Sequence, residues 1–159
     1  TILLYCGIFN LIGAMIIGAA FAHSAAFNAM DVQHFIVGLV KGKALRGNGQ
    51  VLLEAVLANI FVNVAILAFL LIKDDAAKMW IIISAIFMFV FLGEEHVVAN
   101  FASFSIVKFS AVSPSLEFMN WFNLIRHWVV AFIGNTIGGG VIVGLAYAFL
   151  NKTKSVYHE

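Results

Sequence analysis

The chain has 159 residues, of which 63% are apolar and 11% charged, with a mean hydropathy of +1.03, whereas a globular protein is about half apolar and about a quarter charged. So little polar surface cannot cover a core in water, which excludes a soluble globular domain and leaves a membrane as the solvent. A formal net charge of +1 provides no basic field for nucleic acid, and the lone Cys6 excludes a disulfide within the chain and a multi-cysteine metal site.

Residues 1–27 hold no formally charged side chain and exceed the about 20 helical residues that cross a hydrocarbon core of about 30 Å, so they are the first predicted span. No basic stretch or small-residue cleavage site marks them as a secretory leader. A chain that opens on Thr1 rather than Met reads as a fragment of a longer one. Residues 31–50 gather Asp31, His34, Lys41, Lys43 and Arg46 with Gly42, Gly47 and Gly49. This is a loop at the membrane surface, within which His34-Phe35-Ile36-Val37 can start a short interfacial helix. Residues 51–72 are the second span, interrupted only by Glu54, Asn59 and Asn63 and closed by Lys73-Asp74-Asp75.

Residues 79–93 are apolar but only about 22 Å long as a helix, too short to cross. The chain therefore meets Glu94-Glu95-His96 at membrane depth before apolar sequence resumes over 97–107. The third span is 79–107, broken near 94–100, because three adjacent ionisable groups do not sit in an unbroken lipid-facing helix. Asn100 is placed to cap its second half, since Asn suits an N-cap. Pro114 marks a surface loop over 110–117, and Trp121, Arg126 and His127 lead as interfacial residues into a last span over 128–150. His23, His34, His127 and His158 fall at interfaces or in the tail, where structural or solvated roles are expected.

Within the last span, Gly134 with Gly138 and Gly140 with Gly144 form GxxxG pairs, whose expected role is close helix packing. The stretch Asn135-Thr136-Ile137-Gly138-Gly139 also echoes Asn10-Leu11-Ile12-Gly13-Ala14 in the first span. Transporters are often built from repeated halves with a broken helix at their interface. His96 precedes Asn135 by 39 positions, and the same interval ahead of Asn10 falls before Thr1. The expectation is a six-span protein of which four spans are present.

The segment Gly93-Glu94-Glu95-His96-Val97-Val98-Ala99-Asn100 resembles the G-x-E-H-x-x-A-N motif in the fifth span of the formate/nitrite transporter family. Ile133-Gly134-Asn135-Thr136-Ile137-Gly138-Gly139-Gly140 resembles its sixth-span G-N-x-x-G-G signature, and Asn59-Ile60-Phe61-Val62-Asn63-Val64-Ala65 is similar to its fourth span. The resemblance covers about residues 51–150. It implies an all-α integral membrane protein, an aquaporin-like inverted-repeat helical bundle with a broken helix at the pore. It implies a homopentamer, multi-pass in the plasma membrane and in contact with its lipid, with one pore in each protomer. The implied activity is passive or proton-linked transport of small monovalent anions, formate, nitrite or hydrosulfide, past a central histidine between apolar constrictions. By position that histidine is His96, the fourth-span asparagine beside it Asn63, and the constriction residues Phe89 and Ile66. No enzyme activity, cofactor or metal is implied. The chain departs from the family where Glu94 stands in place of the aromatic residue of many members, and where Lys43 and Arg46 are both displaced from the family's lysine before the fourth span.

An anion entering hydrocarbon loses its hydration, and a pore must offset that loss with hydrogen-bond donors, positive potential or a proton. A histidine that titrates near neutrality, as His96 would by type, can supply any of the three. Glu95 directly precedes it and can orient the backbone of the break. Glu94 and Glu95 would repel an anion unless they are protonated, paired with a cation or turned from the pore axis. An amide in mid-span requires partners, and for Asn63 a bond to the broken span is expected. Phe89 lies about two turns before His96, where its ring can close the path. Two other functions compete with transport. A haem-bearing redox subunit with histidine axial ligands fails on depth, because His23 and His127 lie near span ends. A non-transporting assembly subunit would need neither Asn63 nor Glu95-His96 inside the membrane.

Overall fold

The computed structural model describes residues 2–152, so His158 and Lys154 lie outside the described residues. Among them every regular element is helical: α1 (Ile2–Ala22), α2 (Phe35–Ala44), α3 (Asn48–Leu71), α4 (Asp75–Phe91), α5 (Val97–Phe109), α6 (Trp121–Asn135) and α7 (Gly144–Lys152). A π-helical stretch, Thr136–Val143, joins α6 to α7, giving one helix of 32 residues. Together with α1 and α3 this makes three helices long and apolar enough to cross a membrane. The protein is an all-α integral membrane protein.

The first helix stops at Ala22, short of the residue 27 expected from hydropathy. His23 ends the apolar run, and Ser24 folds back, its Oγ donating to Phe21 O at 2.7 Å. A surface segment follows, and α2 starts where His34 Nδ1 accepts the Ile36 N–H at 3.3 Å. Asp74 does the same for α4, accepting from Ala77 N at 2.7 Å, an N-cap that satisfies one of the orphan donors of a first turn.

The crossing formed by α4 and α5 is interrupted at residues 92–96, because α5 already begins at Val97. With 17 and 13 residues these helices are about 25 and 20 Å long, and neither crosses alone. Gly93, at φ 71°, ends α4. Its N–H reaches Val90 O, and Glu94 N–H reaches Phe89 O, both at 3.1 Å. This is the left-handed glycine stop that closes the last carbonyls of a helix, and a Cβ would oppose it.

Packing sets α1 against α5, and α3 between α4 on one side and α6 with its π-helical extension on the other, while α2 lies across α5 and α6. The core is the meeting of α2 (Val40), α3 (Val51, Ala55), α5 (Phe101, Phe104) and α6 (Leu124, Trp128). Close approach of α6 to α3 depends on Gly134 and Gly138. A Cβ on Gly134 would lie 2.6 Å from both Ala55 Cβ and Leu52 O, and one on Gly138 would strike the Val56 carbonyl. Among the described residues, Gly140 and Gly144, the second GxxxG pair, touch no other helix: their Cβ positions meet only Thr136 Cγ2 at 3.9 Å and Gly139 O at 3.3 Å. A π-helix closes i to i+5, so the 3.6-residue face that the pattern assumes does not continue through Thr136–Val143. Gly139 takes the contact instead, its Cβ position falling on the Asn59 and Asn63 amides.

Because the neighbour of Gly138 is backbone, which cannot swing aside, Gly138→Ala should force α3 and the last helix apart. The expected cost is about 1–3 kcal/mol, as for overpacking a core. Gly140→Ala is the control and should unfold at the wild-type temperature. Thermal unfolding in detergent compares them, and equal shifts for the two would reject the contact.

Candidate functional site

The break is held open by groups from α2, the α2–α3 corner, α5 and α6. Its main-chain carbonyls are taken first. Lys43 Nζ, from α2, donates to Glu94 O at 2.9 Å and Gly93 O at 3.4 Å, and Arg46 Nη1 donates to Gly93 O at 2.9 Å. Asn135, at the end of α6, takes the next: its Nδ2 donates to Glu95 O at 2.9 Å and Ala55 O at 2.7 Å, and its Oδ1 accepts the Val97 N–H at 2.8 Å. One asparagine side chain thus ties α3, the break and the start of α5 together. The N-cap of α5 is His96 by position, without a side-chain cap bond, so the expected capping by Asn100 is corrected. Asn100 is already inside α5, where its side chain points back to Glu95, and the capping acceptor comes from Asn135 across the bundle.

Glu95 is fully buried and turned away from His96. Its Oε1 accepts from Arg46 Nη1 at 2.6 Å. Its Oε2 accepts from Asn100 Nδ2 at 2.6 Å and Lys43 Nζ at 3.0 Å, and lies 3.1 Å from His127 Nε2. Arg46 also pairs with Glu54 on α3. The two cations are themselves pinned: Arg126 of α6 donates to Ala44 O at 2.8 Å, Arg46 O at 3.2 Å and Asn48 Oδ1 at 2.6 Å, which fixes the α2–α3 corner. Lys43 and Arg46, displaced in the sequence from the family's lysine, therefore both arrive at the break. Glu94 is half-buried, and its Oε2 has no hydrogen-bond partner among the described residues.

His96 faces the other way, into a cavity of about 350 Å³ lined also by Asn10, Asn59, Asn63, Asn135, Thr136 and the Gly139-Gly140 backbone. Cys6, Gly7 and Val98 line it too. Asn59 Nδ2 donates to Asn135 O at 2.6 Å, and Asn63 Nδ2 to Asn59 O at 2.8 Å. The expected bond from Asn63 to the broken span is thus not made. Gly139 brings the last helix up against both amides, with Asn59 bonding across to the end of α6 and Asn63 one turn back on its own helix. An amide has two N–H groups, so Asn63 keeps one unengaged among the described residues.

Of the expected constriction residues, Phe89 is buried with its ring 5.8 Å from the His96 ring, backing the histidine without lining the cavity. Ile66 is 49% exposed and lies outside the cavity, whose α3 wall ends at Asn63. The paired asparagines of the internal echo, Asn10 and Asn135, line the same cavity from opposite helices. Among the described residues no group of His, Cys, Asp and Glu side chains could hold a metal ion.

His127, read as interfacial from the sequence, is fully buried beside Glu95. The sequence did carry a signal for it and for the two cations. Two adjacent carboxylates inside a membrane require donors of compensating charge, and Lys43, Arg46 and His127 are among the basic residues that flank the spans. What the sequence lacked was the fold that brings them 32 to 52 positions along the chain to Glu95.

Residues 1–149 match the model of the formate/nitrite transporter family. The chain is 32% identical over 138 residues to the formate channel BtFdhC of Bacillus thuringiensis, covering 87% of this chain and 51% of that protein. It is 32% identical over 151 residues to the uncharacterized transporter YrhG of Bacillus subtilis, covering 93% and 54%. It therefore spans about half the length of these relatives. In structure it is similar to an FNT family ion channel, with a TM-score of 0.77 and 22% identity over 88% of this chain and 55% of that one. With the family model matched over residues 1–149 and two relatives 32% identical over most of the chain, the chain belongs to the formate/nitrite transporter family.

Proposed function

We propose that the protein conducts small monovalent anions, formate or nitrite foremost, across the cell membrane through a pore at the His96 cavity, one pore in each protomer of a homopentamer. The observation that carries this reading is electrostatic. In the break, the carbonyls of Gly93, Glu94 and Glu95 are all taken by Lys43, Arg46 or Asn135, and the buried carboxylate of Glu95 is turned onto its cations. The cavity is faced by His96 and the start of α5 at Val97 and Val98, with Asn10, Asn59 and Asn63 among its other polar lining. A helix N-terminus carries partial positive charge. The break thus presents its imidazole and helix N-terminus to the cavity while its own carbonyls and carboxylate are occupied elsewhere, a polarity that helps offset the desolvation of an anion. An assembly subunit would have no need of it.

Cys6 gives a direct test, since its thiol is exposed on the cavity wall. Reconstituted protein should carry formate, nitrite or hydrosulfide into liposomes. A methanethiosulfonate reagent with a bulky charged head should remove most of that flux, and Cys6→Ser should conduct and resist the reagent. Full flux through protein shown by mass to be labelled at Cys6 would place the path elsewhere.

A further inference from the structure

His127 lies in the second turn of α6, fully buried, with its ring stacked on Phe104 at 4.9 Å between centroids. Its Nε2 is 3.1 Å from Glu95 Oε2 and 3.2 Å from Asn100 Nδ2. Asn100 Nδ2 can only donate, and it gives to Glu95 Oε2 at 2.6 Å. In this triangle the oxygen is the single sure acceptor, so the contact from His127 to Glu95 is a hydrogen bond when Nε2 carries hydrogen. Nδ1 has no partner among the described residues. A proton there would be a buried donor without an acceptor, a heavier loss than a bare lone pair. Assigned from these partners, the tautomer is Nε2–H.

Glu95 is therefore gripped from two sides. Lys43 and Arg46 hold it from the α2 side, and Asn100 and His127 hold it from within the bundle. Glu95 and His96 are consecutive, so the direction of the carboxylate fixes the peptide from which the His96 ring is hung. We propose that His127 is a positioning residue for the pore. By donating through Nε2 it keeps the Glu95 carboxylate off the anion path and His96 on it. It touches neither the cavity nor the anion. The inference rests on the reading of the His96 cavity as the anion pore.

Two substitutions separate the hydrogen bond from the ring. His127→Phe keeps a ring to stack on Phe104 and removes the donor, whereas His127→Gln removes the ring and keeps an N–H. The expectation is an anion flux about tenfold lower for His127→Phe, the scale of one charge-assisted hydrogen bond, and substantially restored for His127→Gln. In a Glu95→Gln background, His127→Phe should cost much less, since neighbours acting through one group are not additive. Nitrogen NMR of histidine-labelled wild-type protein, with the His127 signal identified by its loss in His127→Gln, should show the Nε2–H form. Wild-type flux in His127→Phe, better function in His127→Phe than in His127→Gln, or an Nδ1–H ring would each overturn the positioning role while leaving the pore standing. A wild-type protein that carries no small anion would overturn the pore reading and this role with it.

Discussion

Glu95→Ala should unfold at a much lower temperature than wild type and yield less transport-competent protein, the largest effect on stability expected of any single change at the break. Removing one partner of a buried ion pair costs about 3–5 kcal/mol, because the other charge stays buried without compensation. Here two cations are left, Lys43 and Arg46, with Asn100 and His127 also losing their acceptor. Against a total stability of about 5–15 kcal/mol, that is a large share. Arg46 keeps Glu54 and the Gly93 carbonyl, and Lys43 keeps two carbonyls, which sets the loss short of complete unfolding.

The same reasoning predicts a partial rescue. Lys43→Met in the Glu95→Ala protein removes one of the stranded charges, so the double variant should unfold at a higher temperature than Glu95→Ala alone, although Lys43→Met by itself destabilises. Gel filtration and thermal unfolding in detergent measure both. An unchanged unfolding temperature for Glu95→Ala would show that the ion cluster does not hold the break together. Added salt should change little, since screening acts weakly on buried pairs.

Hydropathy located the long helices because a bilayer demands runs of apolar residues of a set length, and it located the break because three ionisable side chains interrupt such a run. It misjudged the end of α1 for the same reason: residues 24–27 are mild enough to pass, and the turn that Ser24 makes is a local hydrogen bond rather than a change of polarity. The ion cluster was half legible. Glu94 and Glu95 announced a need for cations, but Lys43 and Arg46 stand in a surface loop, and only the Arg126 anchor on the α2–α3 corner carries them inward. Asn135 was visible as part of a motif and as an echo of Asn10, yet nothing in its neighbours told that its side chain would cap α5. The second GxxxG pair failed because a pattern read at 3.6 residues per turn does not survive a π-helical stretch, and there the contact moved to Gly139.

His96→Phe should lower anion flux about 10- to 100-fold, because a hydrogen bond to a charged group contributes about 1.5–3 kcal/mol and about 1.4 kcal/mol is tenfold. The remaining donors can take over only in part. Asn59 and Asn63 each spend an N–H on a main-chain carbonyl, and a phenyl ring at position 96 would sit against Phe89, which already backs the imidazole, making the wall apolar where the anion must be met. His96→Asn retains a donor of similar reach without a titrating proton, so its flux should fall between those of wild type and His96→Phe. The two variants together decide how the anion is carried. If His96 gives a proton to the anion so that a neutral acid crosses, the rise of wild-type flux with external acidity should be lost in His96→Asn beyond what the supply of neutral acid in solution explains. If the histidine serves only as a donor, His96→Asn keeps the wild-type pH profile at a lower rate. Proteoliposomes loaded with a pH-sensitive dye and challenged with formate over a series of external pH values read both quantities at once. A His96→Phe protein with wild-type flux would remove His96 from the path altogether.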